Sequence, residues 1–440
     1  MTHTLIYPHT ARHDDAGHLE IGGCDVVELA RVHGTPLFIY DEQALRDQCR
    51  AYVRAFSAVY PGPSEVLYAS KAFFCRAMCE LVAEEGLSLD VASGGELAAA
   101  RLAGFPPERI YFHGNNKTPA EIEAGLDARI GFFVVDSFEE IDRLQAAAAG
   151  RGLVQQVLVR LTPGVRPDTH SFVQTGQVDS KFGFGLGDGR AREAVRRMQE
   201  AASLQLVGVH AHIGSQIFDL DSYRREVEAL FDALTRWRDE LGFECCLFNI
   251  GGGLGIRYTP ADRPSSIADF AAVAADAVAG QAQDRGLTLP KLLVEPGRSI
   301  AGKAAVTAYT VGTVKEIPGV RTYVAVDGGM SDNLRPMLYD SRYEAMLANK
   351  ATVEPNVVVT VAGKHCESGD ILVRDVRIAP PEPGDVLVTP GTGAYGYVMA
   401  NNYNGQPRPA VVLVRDGRAR VIIERETWDD VVRLHRPLHQ

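Results

Sequence analysis

"NIGGGLGI", residues 249 to 256, sets three consecutive glycines directly after an apolar run that reads as a β-strand. Glycines in such a place let backbone N–H groups approach a phosphate, or simply make a tight turn. Their position along the chain decides the fold. In a doubly wound open sheet the glycine fingerprint follows the first strand, whereas here it follows the seventh of eight strand-like runs.

Those runs are "EVLYAS", "LSLDVAS", "RIYFHG", "IGFFVVDS", "QQVLVRLTP", "LQLVGVHAHIGS", "CCLFNIGGG" and "KLLVEPGR", spread from residue 65 to residue 298. Between them lie amphipathic stretches of helical period, such as 94–104 and 221–242, each closed by a glycine. Apolar strands alternating with helices are the mark of a parallel sheet. Eight such units predict an α/β architecture, a closed (β/α)8 TIM-like barrel over residues 36–300. Beyond residue 300 the runs become short and strand-like, and "VRDGRARV" (414–421) has an Asp-Gly turn between alternating residues. Residues 301–440 are therefore expected to form a β-rich sandwich-like or barrel-like domain. Residues 1–35 share that texture and are expected to join it.

The chain has 440 residues, 46% hydrophobic and 23% charged, with a formal charge of −11. That is long enough for a large and a smaller domain. It lacks the basic stripe of a nucleic-acid binder. No apolar stretch approaches the roughly 20 residues of a membrane span, and the first residues lack a secretory pattern. Seven scattered cysteines, an odd number without zinc spacing, suit a reducing compartment. A cytoplasmic enzyme acting on a small molecule, with no structural metal, is the expectation.

Barrel enzymes draw their reactive groups from the C-terminal strand ends. Here those ends carry Lys71, Asp90, His113, Asn115, Asp136, Arg160, His212, the glycines 251–253 and Glu295. Lys71 interrupts an apolar run, and an ammonium there must reach solvent, find a partner or lose its proton for chemistry. Ser215 and Arg298 could add a hydroxyl and a guanidinium to a phosphate site at the glycine turn. A lysine, a phosphate cradle and an acid on one rim are the parts of a pyridoxal 5'-phosphate site.

At this point the chain resembles the alanine-racemase-like barrel class of pyridoxal phosphate decarboxylases, and within it the diaminopimelate decarboxylases. The motifs that carry the resemblance are "YASKAF" (68–73), "LDVASGGEL" (89–97), "FHGNNKT" (112–118), "SKFGF" (180–184), "HAHIGSQ" (210–216), "NIGGGLGI", "EPGRS" (295–299), "DGGMSDNLRPMLYD" (327–340), "CESGD" (366–370) and "GAYGYVMANNYN" (393–404). Phe73 departs from the asparagine of many relatives, beside an unchanged lysine.

The resemblance implies that Lys71 holds the cofactor covalently, with Asp90 nearby, His212 on its ring face and Glu295 at its pyridine nitrogen. It implies a phosphate cradle of Ser215, Gly252, Gly253, the next position (Leu254 in this chain), Gly297, Arg298 and Tyr395. Arg298, Arg335, Tyr339 and Tyr395 would meet the substrate, with Glu367 for a distal amine and Cys366 as proton donor. In the family Cys366 and Glu367 come from the second subunit of a homodimer. The implied reaction is decarboxylation of meso-2,6-diaminopimelate to L-lysine. An ornithine, arginine or carboxynorspermidine decarboxylase is the alternative, disfavoured by two arginines suited to a distal carboxylate. A metal-dependent hydrolase using "HAH" (210–212) lacks a full ligand set, a racemase would have arginine in place of Glu295, and a non-catalytic homologue would have lost Lys71 or Cys366.

Overall fold

The computed structural model describes residues 5–165 and 179–439. They divide into two compact units, residues 48–255 with 263–299, and residues 1–47 with 256–262 and 300–440.

The first unit is a closed barrel of eight parallel strands. They are β1 (Ser64–Ala69), β2 (Ser88–Val91), β3 (Ile110–Phe112), β4 (Phe132–Val135), β5 (Gln155–Thr162), β6 (Leu204–Ala211), β7 (Leu247–Asn249) and β8 (Lys291–Val294). Each pairs with the next, and β8 returns to β1, so no edge is left open. Leu67, Tyr111, Val134, Leu158 and Leu293, one from each of five strands, cluster as a buried core. The register of β6 shifts between Leu206 and Gly208, and a Cβ at Gly208 would strike the Leu247 carbonyl of β7. Only glycine lets the two backbones meet there.

Helices start where side chains satisfy their first N–H groups. Ser93 accepts from Glu96 N–H, Thr118 and Glu121 form a reciprocal box, and Ser137 accepts from Glu140 N–H. The long helix Asp221–Leu241 ends at Gly242 in the left-handed conformation, as its sequence suggests.

A buried ion pair fastens two strand ends. Lys117, almost without solvent contact, gives its three donors to Glu140 Oε1 at 2.7 Å and to the carbonyls of Gly114 and Val134 at 2.9 and 2.7 Å. Glu140 Oε2 accepts the Asp136 N–H at 3.0 Å, which fixes the backbone at the end of β4.

The second unit is β-rich. Strand Ala305–Ile317 runs antiparallel to Leu37–Asp41, Arg321–Val326 and Val386–Pro390, and Leu37–Asp41 also pairs in parallel with Ala410–Arg415. Arg321–Val326, Val357–Ala362 and Ile371–Ile378 continue the sheet. Ala410–Arg415 turns back through Asp416 and Gly417, both with positive φ, into Arg418–Ile423, a hairpin of the kind Asp-Gly favours.

The expectation that the barrel starts at residue 36 differs from this division. Leu37–Asp41, all five residues buried, has its hydrogen-bond partners in the sheet of the second unit. Five continuous apolar or buried residues read the same in either setting, because a strand covered on both faces has no alternation to betray its neighbours. Among the described residues no helix is long and apolar enough to cross a membrane.

Removing Glu140 strands a buried ammonium, which costs about 3 kcal/mol or more. The Glu140→Ala variant should therefore unfold at distinctly lower urea, with an unchanged slope. A midpoint matching the parent would show that the pair carries no such load.

Candidate functional site

Glu295 follows β8 and is buried, as are His113 after β3 and His210 in β6. Its carboxylate is met by three side chains. His113 Nε2 lies 3.0 Å from Oε1, His210 Nε2 3.2 Å from Oε2, and Asn249 Nδ2 donates to Oε1 at 2.7 Å. Burial alone would raise the Glu295 pKa, but the His113 and His210 imidazoles and their hydrogen bonds outweigh it and hold the group well below the usual range. Burial pushes His210 down to about 3, so its ring is neutral and its single N–H is assigned to Nε2, facing Glu295. Nδ1 of His210 then has no hydrogen, and it has no hydrogen-bond partner.

Lys71 sits in the single helical turn Ser70–Ala72 directly after β1, its side chain 43% exposed and its Nζ 3.9 Å from Asp90 Oδ2 at the end of β2. Burial raises the Asp90 carboxyl pKa, with His113 and Lys71 opposing. Asp90 Oδ2 and Ser70 Oγ have no hydrogen-bond partner. Arg160 at the end of β5 stands 3.6 Å from Asp136 and over the Phe182 ring.

His212, after β6, accepts the Gly252 N–H on Nδ1 at 3.3 Å, which leaves Nε2 as its protonated nitrogen. Burial, then the positive charges of Lys71 and Arg160, keep its pKa well below 6.5. The two histidines of "HAH" thus serve different partners, Glu295 and the glycine turn.

The turn itself tolerates no side chains. A Cβ on Gly252 would run into the Glu295 carbonyl, and Gly253, at φ 113°, faces the Gly214 carbonyl. The glycine run stops there: position 254 is Leu254, which joins Ile217 in a parallel bridge, so a cradle glycine at that position is ruled out by the sequence itself. Tyr223 donates its hydroxyl to the Gly252 carbonyl at 3.1 Å and props the turn from below. Gly297 packs against Ala69 and Ala72, bringing the segment before Arg298 against the Lys71 turn. Buried Arg298 donates through Nε and Nη2 to Ser215 Oγ at 3.1 and 2.9 Å.

These residues fit pyridoxal phosphate. The close-packed glycine turn, the Ser215 hydroxyl and the Arg298 guanidinium suit a phosphate. A carboxylate kept ionised without solvent suits a protonated pyridine nitrogen, and a lysine on the same rim suits an aldehyde.

In the second unit, Arg335 opens the helix Arg335–Tyr339 and is buried. It donates to Tyr343 Oη at 3.0 Å and Ser341 Oγ at 3.2 Å, and its guanidinium lies 5.3 to 5.8 Å from the ring centres of Tyr258, Tyr339 and Tyr395. Burial disfavours its charge, but the surrounding tyrosines more than restore it. Tyr395 holds a left-handed backbone at φ 57°. Cys366 and Glu367 lie on a separate exposed turn, away from the Arg335 helix in sequence.

The sequence reading left His113 without a role, weighed His210 only as part of a metal-ligand pair and passed over Asn249. Each does end a strand, but which carboxylate they share is a fact of the closed ring. Glu96 was overlooked too: burial first, then Asp90, raises its pKa to about 7, while it accepts the Ala92 N–H at 2.6 Å.

The chain matches the family model "Pyridoxal-dependent decarboxylase, pyridoxal binding domain" over residues 43–302. It is 49% identical to the diaminopimelate decarboxylase of Halalkalibacterium halodurans over 99% of both chains, and 48% identical to that of Bacillus subtilis over 97% of both. A solved diaminopimelate decarboxylase from M. jannaschii, crystallised with L-lysine, superposes with a TM-score of 0.92 at 35% identity, covering 98% of this chain and 99% of that one.

A carboxyl whose pKa is depressed on folding stabilises the protein above its unfolded value, and that contribution fades as pH falls through the folded one. The stability gap between the parent and Glu295→Gln should therefore be full at neutral pH and shrink as pH drops below about 4.5, the unfolded carboxyl value. Urea titrations at stepped pH read it, and a gap constant down to pH 3 would mean that Glu295 is not held ionised by folding.

Proposed function

The chain belongs to the diaminopimelate decarboxylase family of pyridoxal-dependent decarboxylases, and from that premise we propose that it converts meso-2,6-diaminopimelate to L-lysine and carbon dioxide with pyridoxal 5'-phosphate. The observation that carries this reading is the Glu295 carboxylate, kept ionised by His113, His210 and Asn249 beside Lys71 and the glycine turn.

When bound, pyridoxal phosphate supplies a conjugated cationic ring that accepts the electron pair left on the substrate carbon as carbon dioxide departs. Lys71 would hold the cofactor until substrate displaces it. Glu295 would keep a proton at the pyridine nitrogen, and an anionic acceptor there sustains a full positive ring where an arginine would not. His212 would lie against the ring, neutral and oriented by Gly252. Ser215, Arg298, Gly252 and Gly253, with Gly297 and Tyr395, would bind the phosphate. Asp90 would sit beside the lysine.

Selectivity for diaminopimelate needs recognition of a distal carboxylate and a distal ammonium together. Arg335 and Arg298, with Tyr339 and Tyr395, are proposed for the carboxylate, because a guanidinium pairs with it through two parallel bonds. The tyrosines around Arg335 hold its plane. Glu367 is proposed for the ammonium and the Cys366 thiol for the proton returned to Cα, a thiol being one of the side chains that serve as general acids. We further propose a homodimer in which Cys366 and Glu367 serve the partner's site. The free thiols suit the reducing cytoplasm, where we place the enzyme.

Lysine should appear from meso-diaminopimelate with added pyridoxal phosphate and fall about 10³-fold or more in Lys71→Ala, while ornithine and arginine give no comparable turnover. Turnover of ornithine alone would overturn the assignment of Arg298, Arg335 and Glu367.

If the sites are shared, mixing equal amounts of inactive Lys71→Ala and Cys366→Ala proteins should restore about a quarter of full activity, since half of a random mixture is heterodimer with one intact site. Mixtures that stay inactive despite subunit exchange would place all the catalytic groups on one chain.

A further inference from the structure

The turn that carries Cys366 and Glu367 is pinned from two sides. From within, the Asp370 carboxylate accepts Met330 N–H at 2.7 Å and His365 N–H at 2.9 Å, and lies 2.8 Å from His365 Nδ1. From without, the Asn404 side-chain carbonyl accepts the backbone N–H of Cys366 itself at 2.8 Å. The neighbouring Tyr403 ring lies parallel to the His365 ring, 5.8 Å between centres and 6° between planes.

The strand of chain that supplies Asn404 is in turn tied down. Asn402 Nδ2 donates to Glu426 Oε2 at 2.7 Å, Arg408 N–H donates to the same oxygen at 2.9 Å, and Asn401 N–H donates to the Ser331 carbonyl at 3.0 Å. Asn404 itself sits at φ 54°, ψ 23°, in the left-handed region that an L side chain seldom takes. The position thus makes two demands at once: a backbone at positive φ, and an acceptor oxygen one carbon beyond Cβ. Asparagine and aspartate meet both, glycine only the first, and alanine neither.

We propose that Asn404 is a positioning residue for the reaction, holding the Cys366 backbone so that its thiol is presented to the carbon that loses carbon dioxide. The proposal rests on the reading of Cys366 as proton donor. A cysteine side chain has one rotatable bond between backbone and sulfur, so where the sulfur can reach is set almost wholly by the backbone, and a small misplacement of a reacting group is costly. Asn404 touches neither cofactor nor substrate on this account; it acts through Cys366.

The two demands separate by substitution in the full-length, cofactor-loaded enzyme. Asn404→Gly keeps the backbone and loses the acceptor, while Asn404→Asp keeps both. Amide hydrogen exchange of the peptide spanning Cys366 reads the clamp without reference to turnover, and steady-state kinetics with meso-diaminopimelate read its use. In Asn404→Gly the Cys366 amide should exchange about tenfold faster and kcat should fall about tenfold with KM within about twofold; Asn404→Asp should restore both. Unchanged exchange and kcat in the glycine variant overturn the proposal, as does an aspartate variant that behaves like glycine. Faster exchange with unchanged kcat also overturns the proposal, whereas the reading of Cys366 as proton donor on which it rests falls only if Cys366→Ala keeps the parent's kcat.

Discussion

A carboxylate cannot stay charged out of water without donors, and Glu295 is out of water. The three side chains around it come from the ends of β3, β6 and β7, while it follows β8 itself. Four strands must therefore close to the right register before the charge is tolerable. A barrel satisfies this because every strand end opens on one face. The neutral state of His210 belongs to the same constraint. Its neutral ring gives the carboxylate one hydrogen bond and no net charge.

Around that group the supporting structure works by exclusion of side chains. The glycine turn lies so close to the Glu295 carbonyl and the Gly214 carbonyl that a methyl group would open it. Tyr223 and His212 each bind Gly252, one at its carbonyl and one at its N–H, so the turn is held before any ligand arrives. Arg298 and Ser215 already share a hydrogen bond on the same rim. Such preorganisation lowers what must be ordered on binding.

Much of the barrel was legible because its strands alternate with amphipathic helices of ordinary length, and the Asp-Gly hairpin because its turn chemistry is local. The membership of Leu37–Asp41 was not legible, since a fully buried strand carries no directional pattern. Lys71, His212, Ser215, Glu295 and Arg298 could be singled out as polar residues at strand ends beside a glycine turn. The partnership of His113, His210 and Asn249 could not, since residues so distant in sequence meet only when the ring closes. Asn404 was quoted within a motif, but its bond to Cys366 depends on a left-handed backbone that sequence does not announce.

The strand Leu37–Asp41 has a history as well as a place. A ribosome delivers it before any of the barrel, yet both of its neighbours, Ala305–Ile317 and Ala410–Arg415, are made after the barrel is complete. Throughout synthesis of the barrel, "LFIYD" is a nascent apolar strand with no one to pair with, the kind of segment that recruits chaperones or other nascent chains. The barrel, whose strands are contiguous in the message, can form while the chain is still growing. The β-rich unit, whose segments flank the barrel in the sequence, cannot complete its sheet until the chain from Ala305 through Arg415 has been made.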